Sequence, residues 1–286
     1  MKVTFENKII SFIGGGVMGE AMMKGLIDKQ VVQPDQLIVA DPRTKRGQEL
    51  AAKYGVHYTA NNIEAAEKAH ILVFSIKPQA LGEVLPEARR GAHNCELILS
   101  IMAGVRIETV ANGVANASVV RAMPNTPAQI GQGITVWTAT KEVMEPQLAQ
   151  ARTLLGTFGD EIYVDAENYL DMATALSGSG PAYIFMFMEA LIDAGVHMGF
   201  SRRDAQQLVL QTIKGSVAYA EQSGLHPAEL RNQVTSPGGT TAEALYHLEK
   251  GGFRTVISRA VWSAFQRSVA LGGGKPVRDL NGDHSS

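Results

Sequence analysis

A single cysteine, Cys95, among 286 residues excludes an intrachain disulfide framework and suits a reducing compartment. It precedes the apolar run Leu97-Ile98-Leu99, where a packed, inert thiol is expected rather than a nucleophile. A marked excess of charge of either sign is also missing. The net charge of −2 gives no reason to invoke nucleic acid or an anionic membrane as a partner. No unbroken run of about 18 apolar residues occurs, so no transmembrane helix is expected. Met1 to Lys8 carry charge and no long apolar stretch, so no signal peptide is expected. None of the seven histidines falls in a metal-ligand spacing, and no metal is expected. There is no repeat and no low-complexity tract beyond the polar end Asn281 to Ser286, which is expected to fray. What remains is an ordinary cytoplasmic globule, 45% hydrophobic, long enough for two domains.

The stretch that is present in force is Ile9-Ile10-Ser11-Phe12-Ile13-Gly14-Gly15-Gly16-Val17-Met18-Gly19. An apolar run ends in a glycine turn, and a helical pattern follows at once. Gly14, Gly16 and Gly19 fit the G-x-G-x-x-G spacing of a dinucleotide-binding βαβ unit. Gly14 serves the tight turn, Gly16 lets the backbone approach a pyrophosphate, and Gly19 allows close helix–strand packing. The first N–H groups of the helix then face the phosphate charge. A bare strand–helix turn is the competing reading.

Leu37 to Ala40 reads as a second strand, with Pro42 opening the next helix. Asp41 lies about twenty residues beyond the glycines, where an acid can hydrogen-bond an adenosine ribose 2′-OH. It can equally be one half of an Asp-Pro turn. Arg43, Lys45 and Arg46 either line a 2′-phosphate or form a solvated helix face. Asn61-Asn62 reads as a loop and N-cap for a helix over Ile63 to Ala69. Three buried strands follow, Ile71 to Ile76, Leu97 to Ile101 and Val119 to Ala122, each breaking at Pro or Gly. Continuous apolar strands are those of a parallel sheet buried on both faces. Strand, break and helix in alternation argue a doubly wound sheet, whose strand breaks converge on one crevice at the carboxyl ends. Thr135 to Ala139, a helix through Leu148 to Leu155, and Glu161 to Val164 complete a first domain, residues 1–165.

Beyond about Asp165 strand signals vanish. Pro181 to His197, Arg203 to Ser223, Pro227 to Gln233, Thr241 to Lys250 and Phe253 to Ala270 read as helices, so residues 166–286 form an all-α second domain. Ile184, Phe187, Met188, Leu191 and Ile192 recur at helical spacing. A helix apolar on nearly every side must be buried, in a bundle or against another subunit, and an all-helical half without its own sheet suggests intertwined dimers. Ser177-Gly178-Ser179-Gly180-Pro181 reads as the opening of a long helix with Pro181 at its first position. Thr240 and Glu243 have capping-box spacing, with Thr240 as N-cap. The preceding Ser236-Pro237-Gly238-Gly239 leaves N–H groups uncovered at a helix start, a ready carboxylate site.

At this point the chain resembles the pyrroline-5-carboxylate reductases, from about Lys8 to about Ser268. Six motifs carry the likeness: Phe12 to Gly19, Ile76-Lys77-Pro78, Ala103-Gly104-Val105, Arg121 to Pro127, Ser177 to Tyr183, and Val234 to Thr241. The resemblance implies an α/β N-terminal Rossmann-type domain and an interleaved all-α dimerisation domain, often with a ring of dimers. It also implies NADP or NAD, in reduced form, as hydride donor, and a small-molecule substrate, 1-pyrroline-5-carboxylate, reduced to L-proline. By matched motif, the cofactor is bordered by Gly14, Gly16, Val17, Met18, Gly19, Asp41, Arg43, Asn62, Ser75, Ile76, Lys77, Pro78, Ala103, Gly104, Met123, Pro124, Asn125 and Thr126. The substrate is bordered by Ser236, Gly238, Gly239, Thr240 and Thr241. Asp41 departs from the Ser or Thr of many members. A carboxylate there repels a 2′-phosphate by roughly 1–4 kcal/mol per unit-charge pair at 4 Å, which Arg43 offsets.

Protonating or hydrogen-bonding an imine nitrogen makes its carbon more electrophilic. A hydroxyl is therefore useful there, and Thr241, one place beyond the expected cap, supplies it as the catalytic residue. Two rival readings stand beside this one. One is another imine or β-hydroxyacid reductase on the same plan, which would not need Ser236 to Thr241. The other is a non-catalytic dinucleotide sensor that uses its helical half for a partner.

Overall fold

The structure, a computed structural model, describes residues 5–275; the polar end Asn281 to Ser286 lies outside the described residues, as do the first four residues of Met1 to Lys8. The chain divides into two compact units, Met1–Ser179 with Ala264–Ser286, and Gly180–Ser263.

The first unit is built on the strands β1 (Ile10–Ile13), β2 (Leu37–Ala40), β3 (His57–Thr59), β4 (Ile71–Phe74), β5 (Leu97–Ser100), β6 (Val119–Met123), β7 (Gly133–Ala139) and β8 (Gly159–Tyr163). Their order in the sheet is β3-β2-β1-β4-β5-β6-β7-β8. The first six run parallel. The helices α1 (Val17–Asp28), α2 (Thr44–Tyr54), α3 (Asn62–Lys68), α4 (Leu81–Ala92), α5 (Ile107–Val114) and α6 (Glu145–Leu155) connect or follow them. Strands β1, β2, β4 and β5 are buried at every residue, because helices cover both faces. One cluster gathers Phe12, Met22, Leu26, Val39 and Leu50; a second gathers Phe74, Val84, Leu85, Ala88 and Ile98; a small third holds Ile38, Ala40 and Ala65. Cys95 belongs to the second, donates to Ala69 O at 3.3 Å, and has its thiol pushed up to about 12 by burial and by nearby Glu96.

Several expectations shift. Pro42 does not open α2: Arg43 is the N-cap and Thr44 the first helical residue. Asn61 caps α3 as expected, accepting from Ile63 N and Glu64 N. β7 runs antiparallel to β6, so its break lies at the opposite rim from the crevice. The link from Pro124 to Gln132 holds only a short 3-10 turn, Thr126–Ile130, and a parallel crossover needs about a dozen residues or more.

The first unit also extends past residue 165. The helix α7 (Tyr169–Ala173) packs within it, because Glu167 and Asp171 pair with Arg121 of β6. A single π-turn, Thr174–Gly178, follows α7 directly. Ser177 to Pro181 is therefore no loop. Gly180, not Pro181, is the first residue of the next helix, α8 (Gly180–His197).

The second unit holds α8, α9 (Arg202–Ser223), α10 (Pro227–Gln233), α11 (Thr240–Lys250) and the start of α12 (Phe253–Leu271). Only Gly195 and Ala205 are buried among its residues, where α8 and α9 approach so closely that a Cβ on Gly195 would stand 3.0 Å from that of Ala205. Phe185, Met186 and Met198 are more than half exposed. Against the expectation of none, one run, Tyr169–His197, is long and apolar enough by length and composition to cross a membrane. Its apolar side chains are spaced by Ser177, Gly178, Ser179 and Gly180, which hides the run from a search for unbroken apolar residues.

Candidate active site

The glycine turn follows β1 and meets the end of β4. Gly14 has φ +104, and a Cβ there would lie 2.7 Å from Ser75 O. A Cβ on Gly19 would lie 2.6 Å from Gly14 O and 2.9 Å from Ser75 Oγ. Ser75 is thus spent on the protein: its hydroxyl donates to Gly14 O at 2.7 Å, and its N–H donates to Ile13 O. At Gly16 the situation is opposite. A Cβ would meet nothing nearer than Ser75 O at 3.9 Å, and Gly16 caps α1 without a side-chain hydrogen bond. The first N–H groups of α1 therefore face open space, as an approaching pyrophosphate requires. This fits a dinucleotide. Val17, 54% exposed, and half-buried Met18 begin the helix beside the opening.

Gly15, which the motif leaves free, is also constrained. A Cβ there would stand 2.8 Å from Leu50 Cδ1 and 3.2 Å from Asp41 Oδ2. Its N–H donates to Asp41 Oδ2 at 2.8 Å. Asp41 is 2% exposed and also accepts from the backbone N–H of Arg43 at 2.9 Å and, bidentately, from its guanidinium at 2.9 and 2.8 Å. Burial pushes the Asp41 carboxyl up, but these hydrogen bonds outweigh it and hold the group below its ordinary value. Arg46 donates to Gly15 O at 2.8 Å and pairs with Glu20. Burial raises the Glu20 carboxyl, yet Lys53, Arg46 and Tyr54 together bring it down to about 2. Of the basic run, exposed Arg43 and half-buried Arg46 are thus paired with carboxylates of the protein, and exposed Lys45 remains on the helix face.

The remaining cofactor candidates lie past the carboxyl ends of β3 to β6. Asn62 donates to Glu87 Oε2 at 2.8 Å. Ile76 is half-buried, and Lys77 and Pro78 are exposed. Ala103 is half-buried beside Gly104, which has φ +71 and so little space that a Cβ would stand 2.9 Å from Leu271 Cβ. Met123 ends β6 and Pro124 follows it. Asn125 donates to Ser177 O at 3.2 Å and accepts from Ile134 N at 3.0 Å, so its amide braces the protein. Thr126 is exposed.

In the second unit, Ser236 O accepts from Gly239 N at 3.1 Å, and Gly238 has φ +69. This turn starts α11 one residue earlier than expected. Gly239 is the N-cap, without a side-chain hydrogen bond, and Thr240 and Thr241 are the first two helical residues. Thr240 is not the cap, and Glu243 closes no capping box; its carboxylate faces His247 Nε2 at 3.3 Å. A Cβ on Gly239 would lie 2.4 Å from Ser236 Oγ. No side chain caps the helix start, although Ser236 Oγ lies beside it, and such uncapped N–H groups suit an anion.

An open, glycine-lined helix start at the switch point of such a sheet places this chain among the dinucleotide-binding proteins of the doubly wound α/β class. A family model described as pyrroline-5-carboxylate reductase dimerisation matches residues 167–271. Another, NADP oxidoreductase coenzyme F420-dependent, matches residues 9–104. The pyrroline-5-carboxylate reductase of Synechocystis is 42% identical over 92% of this chain and 98% of its own length; that of Escherichia coli is 36% identical over 92% and 98%. The crystal structure of the Plasmodium falciparum pyrroline carboxylate reductase with NADP bound matches with a TM-score of 0.85 and 34% identity, covering 93% of this chain and 99% of that one. The chain belongs to the pyrroline-5-carboxylate reductase family.

Proposed function

We infer that this chain reduces the C=N bond of 1-pyrroline-5-carboxylate with NAD(P)H, giving L-proline. The observation that carries the reading is the uncapped helix start at Gly239, which suits a carboxylate, with the Thr241 hydroxyl two residues further on. Near-full-length identity to reductases of that name supports it. The bound dinucleotide supplies the hydride. Gly14, Gly16 and Gly19 shape its phosphate site, and Asp41 with Arg43 meets its adenosine end. The N–H groups of Thr240 and Thr241 hold the substrate carboxylate. The imine nitrogen takes up one proton from solvent, and the Thr241 hydroxyl hydrogen-bonds to that nitrogen, so charge is drawn from the carbon that is to be attacked. Orientation then accounts for much of the rate. A sensor that only binds dinucleotide would show no loss of absorbance at 340 nm when the imine is added; the reductase shows it.

Asp41 and Arg43 set the choice between NADH and NADPH. The carboxylate both opposes a 2′-phosphate and occupies the guanidinium that would meet it. Asp41→Ser is expected to raise the ratio of kcat/KM for NADPH over NADH by about tenfold, a shift of about 1.4 kcal/mol. It also leaves the Gly15 N–H without its acceptor, at about 1–3 kcal/mol of stability. An unchanged ratio would show that the pair does not face the adenosine.

We also infer a homodimer, and a ring of dimers from it. A unit in which only Gly195 and Ala205 are buried cannot stand alone with Phe185, Met186 and Met198 in water. Light scattering across the working concentration range is expected to give at least a dimer, and a stable, active monomer would refute this. The buried, unpaired thiol of Cys95 agrees with the cytoplasmic setting we propose.

A further inference from the structure

The carboxyl ends of β5 and β6 are tied together from behind by a cluster of charges, two buried and two half-buried, that the scheme above does not use. Arg121, the third residue of β6, is 2% exposed. Its guanidinium meets Glu167 Oε1 at 2.7 Å and Asp171 Oδ1 at 3.7 Å. Asp171 also accepts from Ser268 Oγ at 2.8 Å and faces Arg106 Nη2 at 3.5 Å. Glu167 Oε1 takes the backbone N–H of Ile107 at 2.7 Å. Two guanidinium groups and two carboxylates balance, and removing the Asp171 charge leaves the buried Arg121 guanidinium with half-buried Glu167 alone.

Every partner leads to the rim. Arg106 and Ile107 follow Ala103-Gly104 with only Val105 between, Arg121 stands two places before Met123, and Asp171 lies on α7 just ahead of the π-turn. The π-turn in turn touches the loop after β6, through Asn125 Nδ2 on Ser177 O and Met123 Cε against Gly178. Single π-turns mark functional positions in helices more often than ordinary turns do. All these residues belong to the first compact unit. Apolar side chains of equal volume generally hold a fold as well as buried ion pairs; what the ion pairs add is direction.

We propose that Arg121, Glu167 and Asp171 are positioning residues that fix residues 103–106 and 123–126 in one mutual geometry, and through these two loops the placement of the nicotinamide end of the cofactor. The proposal rests on the reading of both loops as cofactor borders. Asp171→Asn tests it, since it keeps volume and removes the charge facing both arginines. In the free protein, amide hydrogen exchange is expected to quicken over 101–107 and 123–131 while β1 and β4 keep wild-type protection. In turnover, kcat is expected to fall about ten- to a hundredfold, as for a misplacement of reacting atoms. The KM for the imine stays within about twofold, as for loss of an interaction outside substrate binding. The primary isotope effect on kcat with 4-deuterated NADPH rises as hydride transfer becomes slower than release. Exchange that quickens evenly across the sheet, with an unchanged isotope effect, would mean that the cluster only stabilises and would overturn the proposal. Wild-type exchange and kinetics would overturn it too. Should Asp171→Asn fail to fold, Ser268→Ala takes its place. It removes one hydrogen bond to Asp171 and no charge, and the same local exchange pattern is expected with a loss in kcat of about threefold; wild-type behaviour there counts against the proposal. A wild-type protein that leaves the imine unreduced would instead fail the functional reading, and the exchange pattern is read without it.

Discussion

Thr241→Val is expected to lower kcat by about 10²–10³, the loss seen when one positioned donor is removed from a developing charge. Valine keeps the branched shape and deletes only the hydroxyl. Affinity for the cofactor should hardly move, because Thr241 sits at the start of α11 and not at the glycine turn. Stability should hold as well, since Thr241 is the second helical residue and closes no cap. The structure changes the control. With Thr240 as N-cap, Thr240→Val would have cost about 1 kcal/mol; with Gly239 in that place, Thr240→Val is expected to stay near wild-type stability. Gly239→Ala is the informative partner. Its methyl would come within 2.4 Å of Ser236 Oγ and disturb the uncapped helix start, so it should raise the KM for the imine. Thr241→Val therefore slows turnover, and Gly239→Ala weakens capture. Near-normal kcat in Thr241→Val, measured with saturating imine, would reject the hydroxyl as donor and point to a bound water.

Much of this was legible because its causes are local. The strands β1, β4, β5 and β6 show as apolar runs, since a sheet covered on both faces has no polar side to display. The three motif glycines show because each meets a steric demand within its own turn. Gly15 does not show: the pressure on it comes from Leu50 and Asp41, well along the chain. The helix α4 was hidden by Pro86 in its interior, a residue that locally argues against a helix. The direction of β7 was legible in principle, from a connection too short for a crossover. The cap of α11 was misassigned by one residue because the left-handed Gly238 advances the helix, and a threonine before a glutamate three places on has the same pattern either way. The Arg121 cluster could not be read at all. Its acids lie 46 and more residues from the arginine of β6, and an arginine within an apolar strand gives no sign of which partner buries it.

Gly14→Ala is the other substitution with a large expected effect, and it acts through the backbone. At φ +104 an alanine is strained by about 1–3 kcal/mol. Its methyl would also stand 2.7 Å from Ser75 O and 2.9 Å from Ile76 Cγ2. Ser75 has no freedom to retreat: its N–H is held by Ile13 O at 2.9 Å and its hydroxyl by Gly14 O at 2.7 Å, while Gly14 N is held by Ala40 O at 2.8 Å. Overpacking of this kind adds about 1–3 kcal/mol. The turn must reorient, and the N–H groups of α1 move with it. If about 3 kcal/mol is taken from binding, the Kd for NADPH rises by more than a hundredfold, and the melting temperature falls at the same time. Gly16→Ala separates the two effects. Its φ of −70 suits alanine, and its methyl meets nothing within 3.9 Å, so the protein should fold as the wild type does. That methyl nevertheless stands where the pyrophosphate must approach, and affinity should fall alone. Fluorescence titration with NADPH and a thermal melt on both variants read the difference. A Gly14→Ala protein that binds NADPH within about threefold of wild type, less than 1 kcal/mol, would show that the turn does not carry the dinucleotide.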